Sequence, residues 1–158
     1  MTHLQTLFIV AATFCGMEWV AWASHRYLMH GFLWVLHRDH HRGPRGRLQR
    51  NDAFFVLFAI PSWLCIMLGM MHASRTSVSI GAGVALYGFA YFLVHEVFIH
   101  RRLKFWRDTK SVYWLAVRKA HMQHHRHVDR EDGECFGMLW VSRRFVTEAR
   151  QTLGRSGQ

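Results

Sequence analysis

Three stretches of the chain carry almost no charge. Residues 53–71 and 76–94 have no charged side chain at all, and residues 4–24 are interrupted only by Glu18. Crossing the hydrocarbon core of a bilayer takes about 20 mostly apolar residues. The pattern therefore predicts three membrane-spanning helices, over roughly residues 4–24, 53–72 and 76–99. Two shorter apolar patches, at 112–117 and 136–141, cannot cross and suit interfacial helices or protein contacts. The expected fold class is all-α and integral to the membrane, a bundle of three to four transmembrane helices in one domain over residues 1–158. The tail from 146 to 158 is expected to be flexible. The first run lacks a basic leader and leads straight into the histidine cluster, so it reads as a retained span rather than a signal peptide.

Charge sharpens this picture. The 158 residues are 51% hydrophobic yet carry a net charge of +10, which requires apolar and basic sequence to be segregated. Residues 38–50 hold five arginines and the chain after Arg101 is rich in Arg and Lys, whereas the link at 72–77 has only Arg75. The positive-inside rule puts the two basic regions in the cytoplasm, with the link and the N-terminus on the far side. Cys15, Cys65 and Cys135 are scattered and odd in number, which argues against a disulfide framework and for a reducing compartment on the working side. A basic nucleic-acid binder is disfavoured by the three spans.

This topology brings ten of the thirteen histidines to one side of the membrane. They form a twice-repeated pattern. His25-x4-His30 precedes His37-x2-His40-His41, and His95-x4-His100 precedes His121-x2-His124-His125. On a helix an HxxHH triplet keeps its rings within an arc of roughly 100°, with the i, i+4 pair stacked as two ligands of one ion must be. A five-residue step instead turns about 140°. Either the two rings of each Hx4H pair face different ions, or the helix loosens there, as Gly31 after His30 would allow. His3, His72 and His127 lie outside the pattern and read as surface residues. A lone interfacial histidine is usually only a polar tip, but the repeated pattern points to a defined metal site. Ten imidazoles exceed what one ion takes; shared between two ions they give about five each. Imidazole suits iron, copper, zinc and nickel, so donor type leaves the metal open.

The histidine order in a short, three- or four-span chain resembles that of the bacterial β-carotene hydroxylases, within the membrane fatty-acid-hydroxylase and desaturase superfamily. Further stretches share the likeness: GMEW at 16–19, HRYLMHGFLW at 25–34, ND at 51–52, YGFAYFLVHE at 87–96, AHMQHH at 120–125 and FGML at 136–139. The resemblance covers roughly residues 10–141. It implies a non-haem di-iron monooxygenase that uses O2 to hydroxylate carbon 3 of each β-ionone ring, converting β-carotene through β-cryptoxanthin to zeaxanthin, with canthaxanthin to astaxanthin as a related conversion. It also implies that the ten histidines are the ligands of two iron ions, at the cytoplasmic face of a bacterial inner membrane. The stretch HVDREDGEC after the last motif departs from the family pattern, which bears on the docking surface rather than on the metal site.

Groups placed to tune the rings from outside are Glu18, Asp39, Glu96, Tyr91 and Asn51. Glu18 lies seven residues before His25 and so shares its helix face to within about 20°; an acid in a span is a functional candidate by default, with bonding to another helix as the alternative. Tyr91 and Tyr87 precede His95 by four and eight residues, an aromatic stripe that packing alone also explains. There is no GxGxxG, P-loop or cysteine cluster, so the electrons must come from an external partner of the ferredoxin and ferredoxin-reductase type. Arg101, Arg102, Lys104, Arg107, Lys110, Arg118 and Lys119 offer an acidic donor a docking face, although the lipid headgroups and the positive-inside signal also account for them. The nearest rival is a fatty-acyl or sterol-type hydroxylase or desaturase. A metal transporter would need polar spans, and a haem carrier needs only a few axial histidines.

Overall fold

The computed structural model describes residues 1–42 and 48–155; Arg45 and Arg47 of the basic segment lie outside them. Among the described residues the fold is entirely helical. Helix α1 (His3–Ala23) runs into a wide helical segment, Ser24–Phe32. Helix α2 (Trp34–Arg42) follows, and then a short turn at Arg50–Asp52 opens α3 (Ala53–Met71). Helix α4 (Arg75–Tyr91) ends in a second wide segment, Phe92–Ile99. Two short helices, α5 (Val112–His124) and α6 (Arg143–Arg155), complete the chain.

Three continuous helical stretches, His3–Phe32, Arg50–Met71 and Arg75–Ile99, are long and apolar enough to cross a membrane. Their surfaces agree with that. Leu4, Phe8, Trp63, Met70 and Phe89 are each more than half exposed, while histidines, Glu96, Asn51 and Ser62 are buried. Apolar side chains outside and polar ones inside is the distribution a lipid solvent demands.

Close backbone approach holds the long helices together. A Cβ on Gly83 of α4 would stand 2.6 Å from Thr13 Cβ and 2.8 Å from the Val10 carbonyl oxygen of α1. On the other side, Gly81 meets α3, whose Ser62 hydroxyl donates to the Gly81 carbonyl at 2.8 Å. Small residues at helix crossings are the usual means of association where lipid offers no hydrophobic drive. The C-terminal ends of α1 and α4 and the N-terminal end of α3 consequently meet at one end of the bundle, and all the clustered histidines are there.

One expectation is corrected by the last short helix. Residues 143–155 are not a flexible tail but an amphipathic helix, because Phe145 and Ala149, one turn apart, are buried against Ala116 and Ala120 of α5. The 136–141 patch forms no helix; of the two expected roles it takes the protein contact, packing on the bundle through Met138.

The crossing of α1 and α4 yields a direct test. Gly83→Val overpacks that contact, and such changes cost about 1–3 kcal/mol. Thermal unfolding of the detergent-solubilised protein should show a lowered midpoint, whereas the same change at Gly16, where a Cβ meets nothing within 4 Å, should leave it in place.

Candidate metal centre

The wide segments resolve the five-residue spacing. In Ser24–Phe32 the Leu33 amide bonds the Leu28 carbonyl at 3.0 Å, and in Phe92–Ile99 the His100 amide bonds the His95 carbonyl at 2.9 Å. These i→i+5 bonds mark a π-helical winding, which brings residues five apart onto one face. Gly31 follows with φ −99° and ψ −128°, outside the helical region, and turns the chain into α2. Thus His25 and His30 face one point, as do His95 and His100. The loosening near Gly31 is present, and a similar widening occurs at 92–99, where no glycine announces it.

The ten rings gather into two groups of five. His25, His30, His37, His41 and His124 form group A; His40, His95, His100, His121 and His125 form group B. One nitrogen from each ring lies within 4.8 Å of all the others in its group. Each group takes both members of one Hx4H pair, the i, i+4 pair of the neighbouring HxxHH, and the middle histidine of the other HxxHH. Helices α2 and α5 are therefore shared rungs, sending two rings to one group and one to the other.

Outward hydrogen bonds set the tautomers. His25 Nδ1 lies 3.0 Å from the Phe136 carbonyl, His30 Nδ1 3.1 Å from Arg130 O, His41 Nδ1 2.9 Å from His127 O and His124 Nδ1 2.7 Å from Glu134 O. His37 Nδ1 faces Asn51 Oδ1 at 2.6 Å, His40 Nδ1 faces Gln49 Oε1 at 3.0 Å, and His95 Nδ1 faces Glu96 Oε1 at 2.6 Å. An oxygen of these kinds only accepts, so Nδ1 carries the proton and Nε2 of the neutral ring presents a bare lone pair. Yet the Nε2 atoms approach one another closely: His25 and His37 at 3.1 Å, His41 and His37 at 3.1 Å, His30 and His124 at 3.2 Å, His40 and His95 at 3.2 Å. Lone pairs facing lone pairs at such distances repel unless a cation sits between them. Ligands at right angles around an ion, with bonds of about 2.1 Å, stand about 3.0 Å apart, whereas a tetrahedral set would stand about 3.4 Å apart. The donor set thus fits a cation in each group, in a coordination more crowded than tetrahedral.

The rings are also held neutral, the form that binds metal. Burial, reinforced by neighbouring histidines, lowers His41 to about 4, His40 to about 3 and His124 to about 2, and drives His37, His121 and His125 well down.

Around the rings, the residues singled out in the sequence take different positions. Asn51 and Glu96 bond ring nitrogens directly. Glu96 is itself met by Arg102, whose Nη1 lies 2.6 Å from Glu96 Oε2 and 2.8 Å from Asp52 Oδ1. The Tyr91 ring lies 5.0 Å from that of His95. Asp39 bonds no ring among the described residues; it accepts from the Arg50 amide at 2.8 Å. Glu18 likewise touches no ring, and accepts from Tyr87 and from the backbone of residues 138–140. Arg102 is engaged inside the site rather than offered for docking, and Arg118 is spent on the Phe98 ring, at 3.9 Å, and on the Phe98 and Arg107 carbonyls. Arg101, Lys104, Arg107 and Lys110 are exposed, and Lys119 is half-buried. Sequence reasoning missed Gln49, the Asp52 and Arg102 support of Glu96, and the four carbonyls of residues 127–136. It also missed Trp34, whose ring covers His30 and His41 at 5.0 and 5.4 Å. Carbonyl acceptors leave no side-chain signature; Gln49 and Asp52 flank Asn51, the one available clue.

A bundle of three long apolar helices with two five-imidazole sets at one end defines an integral membrane protein whose histidines could hold metal ions. The chain belongs to the fatty acid hydroxylase family, which matches residues 10–145. It is similar to the β-carotene hydroxylase of Pantoea ananas, 36% identical over 141 residues that cover 89% of this chain and 80% of that one. A β-carotene hydroxylase of Paracoccus sp. (strain PC1) is 32% identical over 150 residues, 94% of this chain and 91% of that protein. The chloroplastic β-carotene 3-hydroxylase of an Oncidium hybrid cultivar is 34% identical over 140 residues; this chain spans 86% of its own length there and 45% of that longer protein. No solved structure matches the chain.

The lowered histidines predict a pH dependence. A ring whose folded value lies below the ordinary 6.5 takes up its proton more readily when unfolded, so its contribution to stability is complete above pH 6.5 and is lost as pH falls. Chelator-treated protein should therefore keep a level unfolding midpoint above pH 6.5 and lose it steeply toward about 4 and about 3, where His41 and His40 titrate in the folded state. Thermal scans across that range check this.

Proposed function

We propose that this protein hydroxylates carbon 3 of the β-ionone rings of carotenoids with O2, taking β-carotene through β-cryptoxanthin to zeaxanthin and accepting canthaxanthin toward astaxanthin. The observation that carries the reading is the pair of converging imidazole sets, in a family whose named relatives are β-carotene hydroxylases. Two iron ions would occupy groups A and B, held by His25, His30, His37, His41 and His124 and by His40, His95, His100, His121 and His125. When bound, they supply the activation of O2 that cleaving an unactivated C–H bond requires.

The protein's own groups do the rest. Asn51, Gln49 and the carbonyls of 127–136 fix ring orientation, and Glu96 makes His95 the more basic ligand, as a carboxylate behind a metal-bound histidine does. Arg102 meets the second oxygen of Glu96 and so holds that carboxylate in place behind His95. A carotene is an apolar rod about as long as the hydrocarbon core is thick, so its terminal ring must be met at the membrane edge. A pocket of about 590 Å³ beside the inner end of α1, lined by Trp19, Trp22, Phe136, Met138 and Trp140, offers apolar walls for such a ring. The Phe136 ring at its edge lies 5.2 Å from those of His30 and His124.

The catalytic end faces the cytoplasm of a bacterial inner membrane in this reading, where a ferredoxin-type donor supplies electrons. Of the basic residues, Arg101, Lys104, Arg107 and Lys119 remain for docking, with Arg102 and Arg118 serving the structure instead. The family description favours one second reading, a fatty-acyl or sterol-type hydroxylase or desaturase.

Expression in a bacterial host that accumulates β-carotene, followed by pigment and fatty-acid chromatography, separates the two. β-Cryptoxanthin and zeaxanthin should appear; unchanged β-carotene alongside hydroxylated or desaturated lipid would overturn the carotenoid assignment. His124→Ala should reduce conversion to background, and Asn51→Ala should weaken iron binding about 10–100-fold, as loss of a group behind a metal ligand generally does.

A further inference from the structure

Groups A and B are supported by different parts of the chain. Four of the five group A rings, all but His37, direct Nδ1 at backbone carbonyls of one segment: His127 for His41, Arg130 for His30, Glu134 for His124 and Phe136 for His25. This strap is not a regular element, and it bends at Asp132 and Cys135, both at φ 60°. A left-handed conformation is unfavourable for a residue other than glycine, so the strap needs ties from outside. Arg42 holds its start, through the Val128 carbonyl at 2.7 Å and an ion pair with Asp129. Its end is tied by Glu18, whose Oε1 accepts from three successive amides: Met138 at 2.8 Å, Leu139 at 2.8 Å and Trp140 at 3.0 Å. Glu18 Oε2 accepts from the Tyr87 hydroxyl at 2.7 Å, which fixes the carboxylate against α4. The acceptors identified behind group B, Gln49 and Glu96, belong instead to the approach to α3 and to the wide end of α4.

We propose that Glu18 is a positioning residue for the group A ion alone. By gripping residues 138–140 it sets the Phe136 and Glu134 carbonyls, and through them the His25 and His124 rings, while group B stands without it. The inference rests on the two-ion reading above. It follows that the two irons have separable occupancy, and that an intramembrane carboxylate touching neither of them decides whether the first is retained.

The test uses full-length protein in detergent, loaded anaerobically with Fe(II) and challenged with increasing chelator. Iron per chain is counted, and Mössbauer and EPR spectra distinguish a coupled pair from a single ion. Wild type should hold two irons. Glu18→Ala should lose one of them at about 10–100-fold lower chelator concentration and show the spectrum of an isolated ferrous ion in what remains. Glu18→Gln, which keeps an oxygen for the three amides, should restore two. Tyr87→Phe, which removes only the contact with α4, should also keep two. If wild type holds fewer than two irons, the two-ion reading itself fails. If wild type holds two and Glu18→Ala keeps both as tightly, or releases both in parallel, the positioning role is overturned. Should Glu18→Ala not insert, Gly137→Val serves in its place, because a Cβ there would stand 3.2 Å from Glu18 Oε1 and displace the strap from the carboxylate. The same loss of a single iron is then expected, and retention of both rejects the proposal.

Discussion

The whole histidine end of the molecule depends on keeping lone pairs pointed at one another. Neutral imidazoles with their Nδ1–H groups satisfied by oxygen have nowhere to send Nε2 except toward a cation, and four pairs of such nitrogens stand 3.1–3.2 Å apart. Protonating the rings would satisfy those nitrogens individually but would bury several positive charges at once, and burial holds the rings neutral instead. The outer oxygens are therefore as much part of the centre as the rings, since removing one frees its ring to flip or to bond water.

Lipid sets the second condition. The three long helices cannot gain by hiding apolar surface from each other, so they meet through Gly81, Gly83 and Ser62 and leave their large side chains outside. Beside the apolar core of Val94, Phe98, Ile99 and Val117, the histidine end also buries polar groups. Glu96, Asp52 and Arg102 form a compensated cluster there, in which the arginine prevents the carboxylate behind His95 from being an isolated buried charge.

The spans and the ten histidines were readable from the chain because each leaves a periodic or compositional mark: uncharged runs of bilayer length, and Hx4H and HxxHH spacings. The division of the rings into two groups was not readable, because it depends on π-helical winding at Ser24–Phe32 and Phe92–Ile99, and only the first has a glycine beside it. The role of 127–136 was hidden for a different reason. Its carbonyls do the bonding, and any sequence supplies carbonyls. Of the expected flexible tail at 146–158, residues 146–155 belong to α6, whose buried face is too narrow to read from the chain because Phe145 and Ala149 carry it. Arg102 reads as surface charge in a basic run, and only the fold brings Asp52 and Glu96 to it.

The sharing of α2 and α5 between the groups also bears on biosynthesis. His25, His30, His37 and His41 lie within the first 41 residues, so most of group A emerges from the ribosome early. Its fifth ring, His124, and four of its five outer carbonyl or amide supports arrive only after α4 has been inserted and α5 made. Group B is likewise begun by His40 and finished by His121 and His125. Neither ring set can close on a nascent chain, so any metal the rings hold enters late, after all three long helices have been made.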